Sequence, residues 1–155
     1  MTPARKPLDE QPLGLSLSAL WDPELETNAL GAAMLGEPMP PWLEPHHFFP
    51  TQHQSIYAAV LTVGANPAHV NAWIRESSPP FSPPVAKSAD IAAICIEAKW
   101  ALRMGWSLQL ERIRELWQAR RLVECMTRQA ILLRHGQATH ADCYAALKEH
   151  FKVTK

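Results

Sequence analysis

Three histidines, His46, His47 and His53, and three cysteines, Cys95, Cys125 and Cys143, are the side chains of this sequence most able to do chemistry. The histidines fall within "HHFFPTQHQSIYAAVL", residues 46–61. A zinc site on a helix takes ligands three or four residues apart, so that both face one metal. His47 and His53 are six apart with Pro50 between them. Adjacent His46 and His47 are expected to point apart, and no cysteine or carboxylate offers a clear third ligand. The spacing favours a structural role, with a ring nitrogen of His53 bonding a nearby backbone group. The thiols are odd in number and widely spaced, which gives no disulfide framework and reads as reduced. Cys95 and Cys125 fall on or near apolar helix faces, where a free cysteine acts as a small hydrophobe. Cys143 opens a helix, but no base partner accompanies it.

Other catalytic signatures are missing from the sequence. There is no G-x-x-x-x-G-K-[ST] phosphate loop, no G-x-S-x-G elbow and no H-E-x-x-H pair. The reading is of a non-catalytic chain with no catalytic residue, no metal ligand and no cofactor. Lys and Arg total 15, as do Asp and Glu, so the formal net charge is zero. Nucleic-acid binding draws on clustered basic excess, so any DNA contact is expected to be weak or indirect. The N-terminus carries no apolar signal region. No run of 18 apolar residues exists to span a bilayer. The expected setting is soluble and cytoplasmic, without membrane contact.

The elements that would position these side chains are helical throughout. Residues 1–21 read as a flexible arm in which only "LSLSALW" is able to dock. Asp22 as cap, Pro23 at the first position and Glu24 in the first turn open a short helix that stops near Gly36. The segment "EPMPPWLEP" is too rich in proline for a long helix. Pro50 and Thr51 start the next helix, with Ile56, Tyr57, Val60 and Leu61 apolar. Asn66 and Pro67 start another, with Val70, Trp73 and Ile74 on one face. "SSPPFSPPVAKS" is a loop that Phe81 would pin. The following helix has Ile91, Ile94, Cys95, Ala98 and Leu102 as its main stripe, with Ile96 and Trp100 off it, and so should be buried on several sides.

Ser107 then caps a long helix from about Leu108 to Arg134, without proline or internal glycine. Its arginines alternate with glutamates, which reads as a solvated, salt-bridged face. After Gly136 a shorter helix carries Tyr144, Leu147 and Phe151. Long helix, tight turn and short helix make a helical hairpin. The fold class is all-α. The expected organisation is an arm at 1–21, a helical head at 22–104 and a hairpin at 105–155.

Two local patterns carry a resemblance. "LGAAML" includes Leu30, Gly31 and Leu35, and Phe48, Phe49, His53, Ile56 and Tyr57 follow at fixed spacing. Together with "ERIRELWQARRLV", they make residues 25–151 resemble the N-terminal domain of DnaB-type replicative DNA helicases. The first helix keeps only Glu24 and Glu26 of that family's acidic run, and the ATPase motor has no counterpart here. The resemblance implies a non-catalytic protein-interaction and oligomerisation module for DNA replication. Its hairpin would pair with other copies, and its partners would be primase, helicase or helicase loader. The self-association positions are Leu110, Ile113, Trp117, Arg120, Val123, Met126, Tyr144, Leu147 and Phe151. Alternatives are a stand-alone regulator of a host helicase or primase, or a helical nucleic-acid-binding domain.

Overall fold

The structure, a computed structural model, describes residues 17–78, 84–105 and 109–153. Among the described residues there are six α-helices and no strand. They are α1 (Pro23–Met34), α2 (Thr51–Val63), α3 (Pro67–Ser77), α4 (Ser88–Arg103), α5 (Leu110–Arg134) and α6 (His140–Val153). Short 3₁₀ turns cover Leu17–Leu20 and Pro45–His47. No helix among these residues is long and apolar enough to cross a membrane. The expected contributions of Phe81, Ser107 and Leu108, and of arm residues 1–16, lie outside the described residues.

The chain divides into two compact units. One is a head of residues 22–114, and the other takes in residues 17–21 and 115–153. The head thus runs past residue 104 to include the first turn of α5, and the docked end of the arm groups with the hairpin.

Within the head the helix starts follow local chemistry. The Asp22 carboxylate accepts the Leu25 N–H at 3.0 Å, with Pro23 at the first helical position. Asn66 Oδ1 accepts the N–H groups of Ala68 and His69. Asp90, in the first turn of α4, accepts the Lys87 N–H at 3.0 Å. Each of these side chains satisfies donors that a helix start leaves open. α1 stops where Gly36 adopts a φ of 94°, and α2 where Gly64 adopts 87°, a region that glycine enters without steric cost.

α1 is the central element. Residues 28–34 are buried without a break, and α1 packs along α4 as well as against α2. The close approach to α4 is made at Gly31. A Cβ there would collide with the Ala98 side chain and lie 2.6 Å from the Ile94 carbonyl oxygen. Leu30, Met34, Phe48, Ile56, Tyr57, Val70, Ile74, Ile91 and Ile113 fill the core around this contact. α4 departs from the expected all-round burial. Ile91, Ile94 and Ala98 are buried, but Ile96 and Trp100 are exposed, because α1 and α3 meet only one side of the helix.

The Gly31 contact generates a test. Alanine is about 1 kcal/mol better than glycine in a helix interior, but overpacking a tight core costs about 1–3 kcal/mol. Here the obstacle includes backbone, which cannot rotate away. Gly31→Ala is therefore expected to lower the urea midpoint without lowering helical signal at neutral conditions. An unchanged or raised midpoint would show that α1 and α4 can separate freely.

Candidate interaction surface

The histidine stretch assembles a support and not a reactive centre. Glu26 on α1 is buried to 1% exposure and His53 on α2 to 7%. His53 Nδ1 lies 2.9 Å from Glu26 Oε1. The Phe49 backbone N–H donates to both oxygens of the same carboxylate, at 3.1 and 3.2 Å. The partner of this ring nitrogen is a side chain 27 positions away. A carboxylate only accepts hydrogen bonds, so Nδ1 carries the proton in this contact. Phe48 belongs to the head core. It is buried and its ring sits 5.1 Å from that of Tyr57. Phe49 is half-buried, and its N–H makes the bonds to Glu26.

His46 and His47 do not point apart. Their ring centroids are 4.3 Å from one another. His47 is buried, and its Nδ1 accepts the Glu44 N–H at 2.9 Å, while His46 pairs with Glu44 across 3.1 Å. Burial first, and the His46 charge next, push His47 below the ordinary histidine value of 6.5. Among the described residues no group of three or more His, Cys, Asp or Glu is placed to hold a metal ion. Burial raises the Cys95 thiol and the Tyr57 phenol above their usual ranges, which leaves both in the protonated form.

The residues matched to the resemblance gather in this core, apart from half-buried Phe49 and exposed Leu35. Leu30, Gly31, Phe48, His53, Ile56 and Tyr57 are buried in the head. Leu35 lies at the C-terminal cap of α1 and is exposed.

The nine positions named for self-association separate by environment. Ile113 is buried in the head core, and half-buried Leu110 packs against it. Arg120 is buried to 4% and its guanidinium donates to the Leu20 carbonyl at 2.7 Å. It fastens the 3₁₀ turn at Leu17–Leu20 to α5. That charge-assisted bond is a tie within the chain. Trp117 is half-buried with the Arg121 guanidinium 6.0 Å from its ring, and Val123 is half-buried too.

The hairpin closes at Gly136 and Gln137, whose N–H groups donate to the Leu133 and Leu132 carbonyls. Thr139 and Asp142 then cap α6 reciprocally, at 2.8 and 3.2 Å. The Thr139 N–H, followed by its hydroxyl, holds the Asp142 carboxyl below its usual range. Cys143 Sγ donates to the Gln129 carbonyl at 3.5 Å. Along α6 the half-buried residues are Cys143, Ala146, Leu147 and His150, a helical face at spacings of three and four. Tyr144 and Phe151 fall outside that face and are 66% and 53% exposed. On α5, Met126 and Leu133 are likewise exposed, also seven residues apart. Beyond Arg120 no described residue of the hairpin is fully buried.

Comparison with protein-family models, with curated proteins and with solved structures returned no match.

Two outcomes follow from the head's polar interior. Removing one member of a buried charged contact costs about 3–5 kcal/mol, because its partners are left unpaired. Glu26→Ala should lower unfolding free energy by that order in urea titrations, whereas Glu24→Ala on the exposed side should stay within about 0.5 kcal/mol. Equal effects would remove Glu26 from its central position. The second outcome concerns His47. Its lowered pKa means that the unfolded chain binds protons more readily, so stability rises with pH across this window. The contribution is present above 6.5, and is lost as pH falls below that value toward the lowered folded pKa. His47→Asn keeps an acceptor near Nδ1 but cannot titrate. Stability measured at about pH 7.5 and 5.5 should differ less in this variant than in the parent chain.

Proposed function

We propose that this chain is a non-catalytic interaction and oligomerisation module of the replicative-helicase N-domain type. It pairs with other copies through the hairpin and presents its head to replication proteins such as primase, helicase or a helicase loader. The observation that carries the reading is the exposure of four large apolar side chains in the hairpin, Met126 and Leu133 on α5 and Tyr144 and Phe151 on α6. Two helices alone have little interior in which to bury such side chains, and exposed apolar patches mark contact sites. Aromatic residues bury about 150–250 Å² each and anchor interfaces. The order of helices and the aromatic–histidine pattern support the family reading. Zero net charge favours a protein partner over nucleic acid.

The test is the mass in solution. At tens of micromolar, light scattering should give a multiple of the 17.4 kDa chain. Tyr144→Glu combined with Phe151→Glu places two like charges on the contact face and should return the monomer with helical circular dichroism unchanged. A parent chain that stays monomeric at these concentrations removes the self-association half of the proposal.

A further inference from the structure

The head carries an exposed apolar surface of its own. Ile96, Trp100 and Met104 stand one turn apart along α4 and are 60%, 62% and 76% exposed. With Glu24 and Asn28 of α1 and Glu97 of α4 they line an open groove of about 550 Å³. One feature sets this groove apart from a stray patch. The lining holds two carboxylates and no cation, and neither Glu24 nor Glu97 has an ion-pair or hydrogen-bond partner among the described residues.

We infer that the α1–α4 groove is a docking site for a basic amphipathic helix of another protein. The row from Ile96 to Met104 runs about 12 Å along the axis of α4, which suits two turns of a helix laid in the groove. Apolar side chains of the incoming helix cover Trp100 and Met104, a flexible thioether that adapts to its partner. Its lysine or arginine side chains meet Glu24 and Glu97. This mode of recognition places anchors three, four and seven residues apart on the ligand. The inference deepens the partner-contact half of the proposed function and rests on that half alone, since the hairpin face plays no part in it.

The test uses the full chain and two fluorescein-labelled helical peptides of about five turns, one of leucine and lysine, the other of leucine and glutamate. Fluorescence anisotropy should show the lysine peptide binding at least about tenfold more tightly than the glutamate peptide. Trp100→Ala, and separately the pair Glu24→Gln with Glu97→Gln, should each weaken it by about tenfold. All these side chains are exposed, and unchanged thermal melting would show that the variants remain folded. In nuclear magnetic resonance titrations the Asn28 side-chain amide signals should shift with the lysine peptide. The Tyr144→Glu, Phe151→Glu chain should bind that peptide as the parent does, which separates this result from failure of self-association. No binding of the lysine peptide overturns the inference, as does binding that none of the groove variants weakens. If the groove variants instead reduce the mass of the chain in solution, the occupant is a second copy and the inference is overturned in that form.

Discussion

The head depends on one buried carboxylate. Glu26 comes from the first turn of α1 and receives a histidine from α2 and a backbone N–H from the bend between them. An ionised carboxylate is expensive to remove from water unless its oxygens are filled. Here three hydrogen-bond contacts fill them, and together they set α1, the bend at Phe49 and the start of α2 in one arrangement. Apolar packing alone tolerates sliding of one helix on another. A donor and acceptor set of this kind fits a single register.

Around this contact the choice of small residues becomes intelligible. Ala29, Gly31, Ala32 and Ala33 let α1 lie close to its neighbours, and the backbone of α4 comes near enough at Gly31 to exclude any side chain. The bend keeps its shape through further polar ties. His47 accepts the Glu44 N–H, and Gln54 donates to the Phe48 carbonyl at 2.9 Å. Trp42 is covered by the Arg114 guanidinium at 4.4 Å, so the head keeps the first turn of α5 as part of its wall. The histidines that looked like ligands are used in these ties.

The head and hairpin differ in how they treat apolar residues. In the head most large side chains fill a closed core, while the row on α4 and Leu35, Leu61 and Val85 stay exposed. In the hairpin the described side chains past Arg120 are half-buried or exposed. A closed core stabilises its own unit, while an open face stabilises only an assembly. The proposed division of labour follows, with the hairpin for like copies and the α4 row with its carboxylates for a basic partner.

Much of the architecture was readable from local chemistry. Asp22 with Pro23, Pro50 with Thr51, and Asn66 with Pro67 start helices, and Gly36, Gly64 and Gly136 stop them, because capping and positive φ act over a few residues. Periodicity also marked Ile91, Ile94 and Ala98 as an inner face. It did not reveal that Ile96 and Trp100 are bare, since apolarity in a helix does not say which neighbours exist. Nor did it separate Ile113 and Arg120, which the fold covers, from Tyr144 and Phe151, which it leaves open. The partner of His53 was out of reach for the same reason. Sequence alone determined the helices, their ends and the absence of a recognisable catalytic motif, because those are properties of neighbouring residues. Only tertiary structure joined Glu26 to His53 across 27 positions, and only it decided which apolar faces close on themselves. Burial depends on how separate helices pack, and no single helix carries that information.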